Sequence, residues 1–416
     1  MRSGDRATPT ILITDAGRGS AIAFIRSLGR MGWHVIAADS DPRSPGFRSR
    51  HVWDRLLYPA PESAPREFVQ TLLQTVREKN VDLIVPVTDA VIFPLSEARS
   101  QFEGLCKLAM PEAATLDVVT NKLKTVELAR RLGVPTPHTV LVQTAQEAVE
   151  RWQGQGWPVV LKPRASRLYR DQAGVEAFTV SYASDGAQLS QQMQRFEGRC
   201  PVLLQEYYPG EGHGVELLMH EGRALVAFQH KRIREVPVNG GASAFRESVP
   251  LDPKMYDDSV RLLQALNWTG LAMVEYKVGA AGPKLMEING RVWGSLPLAV
   301  RSGVDFPRGL AELYLYGAPK NGAARGAGYE VGVRARNLEL DMVWIASVLR
   351  GKRRYPFLKM PSRWQALAAL LELLNPTYQQ DILSLEDPWP GLAEIIKIVV
   401  KFRHKLQEAT SESKGD

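Results

Sequence analysis

Two short strand-like runs in the central part of the chain each carry a glutamate, and they constrain the fold more than any other feature. The runs cover 271–277 and 284–289, and the glycines and proline between them indicate a turn. If the hairpin is symmetric about Ala281, Glu275 lies directly opposite Glu287. The sequence therefore predicts a hairpin with two facing carboxylates.

Facing like charges destabilise a hairpin unless a cation compensates them. Asn289 follows Glu287 by two residues and so shares its face, and these hard oxygen ligands suit Mg²⁺ better than zinc. Ordinary surface glutamates are the alternative. We favour the metal site because the predicted face also carries apolar side chains, namely Leu271, Met273 and Leu285.

Composition indicates a folded protein of two or three domains. The 416 residues are 44% hydrophobic and 23% charged. The net charge of +7 comes from scattered basic residues with no nucleic-acid module, so we expect phosphate-rich small ligands and no nucleic acid. The polar N-terminus, the lack of a long apolar run, and two cysteines without disulfide or zinc spacing predict a cytoplasmic protein.

The first part of the chain, residues 1–118, alternates strand-like and helix-like segments, which predicts a Rossmann-like parallel sheet covered by helices. The first strand-to-helix turn contains Gly17 and Gly19 but lacks the full dinucleotide fingerprint, so a nicotinamide cofactor is a weak prediction. Three polar residues at strand ends are possible substrate contacts: Asp15, Arg18 and Asp89.

A helix that begins after Thr120 and ends at Gly133 is predicted to lead into a second domain, residues 119–318. We take Thr120 as its N-cap. Residues 240–248 are predicted to form a loop near the phosphates or the acceptor, with Ser243 and Arg246 as donors, although a plain connecting loop fits equally well. The remaining residues, 319–416, are predicted to form a mostly helical extension.

The acidic residues in this order resemble the metal motif of the ATP-grasp superfamily, a Glu on one strand and Glu-x-Asn-x-Arg on the next. The resemblance covers nearly all of the chain up to about Gly317 and implies an ATP-grasp fold of the α/β (α+β) class. It implies that ATP binds with Mg²⁺, or possibly Mn²⁺, held by Glu275, Glu287 and Asn289. Arg291 would contact phosphate or substrate as a catalytic residue.

The same resemblance implies further nucleotide contacts. Lys122 and Lys162 fall where the superfamily places lysines on the ATP phosphates, and Lys162 also counts as catalytic. The segment 205–210 is similar to the hinge between the two lobes, where Glu206 would read the adenine edge. Further candidates are Tyr207 and Tyr208 beside the base, and Glu211 and His213, which reach the ribose or belong to a turn.

One departure from the superfamily is the loop after Lys162, which lacks the glycines that let backbone amides close over phosphates. Side-chain donors could replace them, namely Arg164, Ser166, Arg167 and Arg170. On the predicted strand before residue 240, Arg232 and Arg234 are candidates for carboxylate recognition, and Arg246 is a third candidate for catalysis.

The resemblance, with features of a carboxylate-amine ligase and of the carbamoyl phosphate synthetase large subunit, implies a ligase. It would activate a small carboxylate as an acyl phosphate and transfer it to an amine or similar nucleophile. A nucleotide-binding regulatory protein without turnover is the alternative, and a nicotinamide-dependent oxidoreductase is less favoured. A homo-oligomer is possible.

The C-terminal helical pattern has an apolar stripe with basic residues between its members: Leu392, Ile395, Ile396, Val399, Phe402 and Leu406. We expect this helix to pack on the body of the protein or on a second subunit. Attachment to a membrane surface is possible but less favoured.

Overall fold

The computed structural model of the chain describes residues 8–164, 167–170, 174–177, 180–238, 240–318, 328–351, 357 and 360–412. Residues up to 120 form a parallel five-stranded sheet in the order β3-β2-β1-β4-β5 with helices around it. The elements are β1 Thr10–Ile13, α1 Gly19–Arg30, β2 His34–Asp39, β3 Asp54–Leu57, α2 Pro65–Lys79, β4 Leu83–Val85, α3 Asp89–Glu97, α4 Arg99–Phe102, β5 Lys107–Leu108 and α5 Ala113–Thr120. The predicted Rossmann-like topology is confirmed.

A second, smaller sheet follows, with four antiparallel strands in the order β10-β7-β11-β6. The elements of this segment are α6 Lys122–Arg131, β6 Thr139–Val142, α7 Ala145–Trp152, β7 Val159–Pro163, β8 Arg167–Arg170, β9 Gly174–Ala177, β10 Ser181–Ala183, α8 Gly186–Met193 and β11 Val202–Glu206. Strands β8 and β9 pair with each other as a separate two-stranded sheet. Asn121 caps α6 through the Leu123 amide, whereas Thr120 still belongs to α5. The predicted Thr120 cap is therefore wrong by one residue.

The third sheet has seven strands in the order β16-β15-β12-β13-β14-β17-β18. The elements up to residue 316 are β12 Glu211–His220, β13 Arg223–Val236, β14 Ala242–Ser248, α9 Pro253–Ala265, β15 Gly270–Gly279, β16 Gly282–Asn289, α10 Leu296–Arg301 and α11 Phe306–Tyr316. The predicted loop 240–248 is mostly the strand β14, because it pairs with β13 on one side and β17 on the other.

The C-terminal part contributes β17 Arg334–Arg336, α12 Leu338–Arg350, α13 Arg363–Glu372, β18 Gln379–Gln380 and α14 Pro388–Glu412. It is helical in large part, but β17 and β18 complete the seven-stranded sheet. The sheet thus crosses the domain boundary predicted at residue 318. Among the described residues, none of the helices is long and apolar enough to span a membrane.

Buried ion pairs attach the C-terminal segment to the rest of the protein. The Asp387 carboxylate accepts hydrogen bonds from Arg26 at 3.0 Å and Ser49 at 2.7 Å, and Asp381 pairs with Arg246. Helix α14 also packs on the body through Glu394 and Ile398, while its opposite face leaves several apolar side chains exposed, namely Leu392, Ile395, Ile396, Val399 and Val400. Helix α14 thus docks on the body, but not through the predicted apolar stripe, of which Leu392, Ile395, Ile396 and Val399 are exposed. What covers that face stays a prediction.

Candidate active site

The register of β15 and β16 places Glu275 directly opposite Glu287, as predicted. The turn itself is not symmetric about Ala281, since Gly279 pairs with Gly282. A bulge between Leu285 and Glu287 shifts the ladder by one residue and brings the two glutamates together. The same bulge moves Leu285 to the other face of the sheet, where it packs with Tyr276, so the predicted placement of Leu285 beside the glutamates is wrong.

Asn289 and Arg291 form one hydrogen-bond network with Glu275. The Asn289 amide donates to Glu275 at 2.8 Å, and Arg291 donates to the Asn289 carbonyl oxygen at 3.2 Å. Arg291 also donates to Asp89, at the start of α3, at 2.9 Å. Arg291 therefore links the acidic hairpin to the carboxyl end of the N-terminal sheet, where the predicted contact Asp89 lies.

Arg232 lies across the sheet and pairs with Glu275, its Nη2 atom 2.7 Å from the carboxylate. Gly212 on β12 makes this possible, because a Cβ atom there would lie 3.0 Å from the Arg232 side chain and 2.9 Å from Glu235. Burial raises the pKa of Glu275 above its usual value, although Arg232 works against that effect. A fixed positive charge thus balances one of the two facing carboxylates.

Two lysines from separate elements converge on Glu287. Burial alone would raise the Glu287 pKa, but the positive charges of Lys162 and Lys122 hold it below the usual value. Burial lowers the pKa of Lys162, and Glu287 opposes that shift. Lys162 comes from the end of β7 and Lys122 from the first turn of α6. The structure thus brings together both lysines that were predicted to contact phosphates.

The hinge segment lies at the turn end of the acidic hairpin. The Glu206 carboxylate accepts hydrogen bonds from the His138 amide at 3.0 Å and from Lys284 at 3.0 Å. These contacts outweigh the effect of burial, which alone would raise the pKa, and lower the pKa of Glu206. The Tyr208 hydroxyl donates to the Gly282 carbonyl oxygen at 2.7 Å, while Tyr207 packs edge-on against Tyr182.

The predicted ribose contact of His213 is contradicted by the register of β12. Gly214 pairs with Glu275, so the alternation along the strand places His213 on the opposite face. There its ring lies 3.4 Å from Gln229, which in turn accepts from the Asp252 amide at the start of α9. Glu211 lies on the same face of β12 as His213, and its side chain is exposed.

The predicted role of Arg234 in carboxylate recognition is also contradicted. Arg234 forms a buried ion pair with Asp341 at 2.6 Å and a second pair with Glu372 at 2.7 Å, and it stacks on Phe245. The β-bulges in the β13–β14 ladder separate it from Arg232. Its donors hold helices α12 and α13 on the sheet.

Arg246 lies on the same face as Arg232, its partner across the β13–β14 ladder. It is fully buried and paired with Asp381, while its Nε and Nη1 atoms have no hydrogen-bond partner in the described part of the chain. The Ser243 hydroxyl is likewise buried without such a partner. Of the predicted loop donors, Arg164 is exposed, Ser166 lies outside the described residues, and the side chains of Arg167 and Arg170 are not described.

The donor set fits a magnesium ion that also binds nucleotide phosphates. In the described part of the chain no cluster of three His, Cys, Asp or Glu side chains could hold a metal alone. Glu275, Glu287 and Asn289 supply hard oxygens, and Mg²⁺ usually completes its shell with phosphates and water. Two partly buried carboxylates facing each other fit this role.

A cavity of about 520 Å³ lies beside the hinge and is lined by Arg130, His138, Glu206 and residues 133–137. It shares only Glu206 with the predicted site. None of the predicted metal ligands or phosphate lysines lines it, so the nucleotide prediction does not depend on this cavity.

Sequence reasoning missed two residues beside the hairpin, Glu216 and His230. Both are fully buried on the face that carries Glu275. The available signal was a charged residue inside the apolar strand 215–219, a position at which a glutamate is rarely buried without a partner.

Comparisons with known proteins agree with this architecture. Residues 199–335, which include β12 to β16, match the sequence model of a family described as "ATP-grasp in the biosynthetic pathway with Ter operon". The biotin carboxylase domain of a Hydrogenobacter thermophilus 2-oxoglutarate carboxylase, solved with MgADP, ADP and bicarbonate, superposes with a TM-score of 0.60 at 17% identity. That match covers 79% of this chain and 74% of the other.

Sequence relatives point the same way. The chain is 27% identical over 143 residues to the formate-dependent phosphoribosylglycinamide formyltransferase of Ignicoccus hospitalis, covering 33% of this chain and 32% of the relative. It is 24% identical over 300 residues to the carbamoyl phosphate synthase large chain of Deinococcus radiodurans, covering 69% and 27%. The chain thus spans about a third or less of these relatives.

The architecture and these likenesses define a protein of the ATP-grasp fold, and the resemblance predicted from the sequence is confirmed. Within that superfamily, the part that carries the acidic hairpin matches the family associated with the Ter operon.

Proposed function

We propose that this protein is an ATP-dependent ligase that activates a small carboxylate as an acyl phosphate and transfers it to an amine. One observation carries the proposal: Glu275 and Glu287 face each other on a sheet face on which Lys122 and Lys162 also converge. Two carboxylates and two lysines in one place suit a metal-bound triphosphate, whose charges need compensation from several sides.

The chemistry requires little more than positioning and charge stabilisation. A carboxylate oxygen attacks the terminal phosphorus of ATP and ADP leaves; the amine then attacks the acyl carbon and phosphate leaves. In this proposal Lys122, Lys162 and Arg291 hold the phosphates, and Glu206, Tyr207 and Tyr208 hold the adenine. Magnesium, held by Glu275, Glu287 and Asn289, would neutralise charge that develops on the phosphoryl oxygens.

Arg246 and Arg232 are the proposed contacts for the carboxylate substrate. Within the described part of the chain, two guanidinium nitrogens of Arg246 have no hydrogen-bond partner, and they lie on the face that carries the acidic hairpin. Arg232 stands between that hairpin and Arg246, and its guanidinium pairs with Glu275. Arginine is suited to this role because its planar fork matches a carboxylate.

The test is carboxylate-dependent ADP release measured against pools of small carboxylic acids and amino acids. We expect release that needs both a carboxylate and Mg²⁺, and that disappears in Glu287→Ala. Glu221→Ala, in the exposed β12–β13 turn, is the matched control and should keep the activity. Tight Mg-ATP binding without ADP formation across the panel would favour the regulatory alternative, which the glycine-poor loop after Lys162 motivates.

A further inference from the structure

A fully buried carboxylate-imidazole pair lies beside the acidic hairpin. Glu216 Oε1 is 2.9 Å from His230 Nδ1 and accepts a hydrogen bond from the Ser295 hydroxyl at 3.0 Å. Glu216 Oε2 and both ring nitrogens of His230 have no hydrogen-bond partner in the described part of the chain, so the 2.9 Å contact between the two side chains is a close approach and not a well-aligned hydrogen bond. Buried polar atoms without partners are costly, so such a group calls for a ligand or a chemical role.

A glycine in β12 allows the pair to point toward the hairpin. A Cβ atom at Gly214 would lie 2.5 Å from His230 Cε1 and 3.1 Å from Met273 Sδ, so only glycine lets the imidazole lie across the strand. Glu216 is opposite Met273, and Glu275 is opposite Gly214. Glu216 and Glu275 are therefore diagonal neighbours on one face of the sheet, a position at which the Cα atoms are about 7–8 Å apart.

Burial, together with the surrounding charges, sets the proton affinity of the pair. Burial raises the pKa of Glu216 to about 8, and burial lowers the pKa of His230 well below its usual value. Together the two groups can hold one exchangeable proton near neutral pH. The charged and titratable groups near them on the same face or on neighbouring elements are Arg232, Arg246, Glu235, Glu275 and Tyr329, and His213 on the other face of β12 also interacts with His230 electrostatically.

We propose that Glu216 and His230 receive the acceptor, a primary amine, and take the proton that it loses as the amide forms. This inference rests on the proposed ligase function and names the class of its second substrate. The amine lone pair forms the C–N bond, and the C–O bond breaks with its electrons on phosphate. The excess proton on nitrogen moves to His230 Nε2, while the negative charge of the Glu216 carboxylate, whose Oε1 lies 2.9 Å from Nδ1, stabilises the imidazolium that forms. The pair then returns the proton to the departing phosphate, so the products are amide and hydrogen phosphate.

The position of the pair agrees with this role. Glu216 and His230 lie on the side of Glu275 that is away from β16, toward Arg246, whereas the lysines converge on Glu287 of β16. An acyl group activated at the hairpin would thus have the phosphate-binding lysines on one side and the Glu216–His230 pair, which receives the amine, on the other. General-base assistance of this kind contributes about 10²–10⁴-fold in rate.

Trapping with hydroxylamine separates this role from the earlier step. Hydroxylamine is uncharged at neutral pH and strongly nucleophilic, so it captures an acyl phosphate without a base. With the carboxylate found in the ADP-release screen, we expect Glu216→Gln and His230→Gln to form hydroxamate at close to the wild-type rate. Amide formation with the amine acceptor should fall by about 10²–10⁴-fold. In the wild type it should rise with pH through about 8, and Glu216→Gln should lose this rise.

His220→Gln on the same strand is the matched control and should keep both products, since Glu221 is the one charged partner of His220 among the residues that the structure describes. Mg-ATP-induced thermal stabilisation reports folding of every variant, and Gly214→Ala, which displaces the imidazole, gives a second route to the same loss. Equal loss of hydroxamate and amide, or amide formation that persists in both variants, would overturn the inference. A wild type that forms neither product overturns the ligase proposal itself.

Discussion

Glu275 and Glu287 face each other because a bulge in β16 compensates for a turn that is one residue off symmetry. Arg232 compensates the charge of Glu275 on one side, and Lys162 and Lys122 compensate the charge of Glu287 on the other. These positive charges offset the repulsion between the two carboxylates at the proposed metal site.

Removing either carboxylate should uncouple ATP binding from magnesium. We expect Glu275→Gln and Glu287→Gln to weaken the apparent affinity for Mg²⁺ in the presence of ATP by at least about 100-fold, because each loses an anionic oxygen ligand. Isothermal titration with and without Mg²⁺ measures this. Glu221→Gln should behave as the wild type, and retained magnesium dependence in both hairpin variants would contradict the metal assignment.

The two converging lysines should contribute to ATP affinity, and a third should not. Lys122→Met and Lys162→Met are expected to weaken ATP binding by about 10- to 100-fold, the loss of a charge-assisted hydrogen bond of about 1.5–3 kcal/mol each. Lys124→Met is the control on the same helix, because Lys124 pairs with Asp117 and its side chain is 46% exposed. Equal ATP affinities in all three variants, measured by equilibrium titration, would refute the lysine assignment.

The sequence predicted the parts of this site that depend on local periodicity. Asn289 on the face of Glu287 and the position of Lys162 at a strand end follow from alternation and spacing. The facing glutamates were predicted from a symmetric turn, but in the structure it is the bulge in β16 that brings them together. The bulge that moved Leu285 could not be predicted, because nothing in the residues of β16 marks an unpaired position. The alternation of side chains along β12 places His213 on the face opposite Glu275. This register could not be read from the sequence, because it depends on pairing between segments about 60 residues apart.

Contacts over long sequence separation explain the other errors. Residues 240–248 form a strand because β17, near residue 335, covers their outer edge. Arg234 is withdrawn from substrate recognition by Asp341, a partner 107 positions away in the chain. Such pairings are fixed by the packing of whole elements, so neither propensity nor spacing reveals them.

The glycine at position 214 should be sensitive to a single added methyl group. Gly214→Ala places a Cβ atom 2.5 Å from His230, so we expect a loss of about 1–3 kcal/mol in the free energy of unfolding as the ring is displaced. Gly186→Ala, at the first residue of α8 with open space around it, should be neutral or stabilising by up to about 1 kcal/mol. Denaturant unfolding of both variants measures the contrast, and equal stabilities would contradict the close packing described here.

The attachment of the C-terminal segment should depend on pH through Asp387. Its hydrogen bonds from Arg50, Ser49 and Arg26 outweigh burial, which alone would raise the pKa, and hold the Asp387 pKa below its usual value. A carboxyl whose folded-state pKa is lowered stabilises the fold above its unfolded-state pKa, and this stabilisation is lost as the pH falls through the folded-state value. Asp387→Ala should cost about 3–5 kcal/mol at pH 7, because Arg26 is left buried without its counter-charge. The difference from wild type, measured by urea unfolding, should shrink as the pH approaches 3, whereas exposed Asp257→Ala should show little difference at either pH. A cost that stays constant with pH would show that Asp387 contributes through packing and not through its charge.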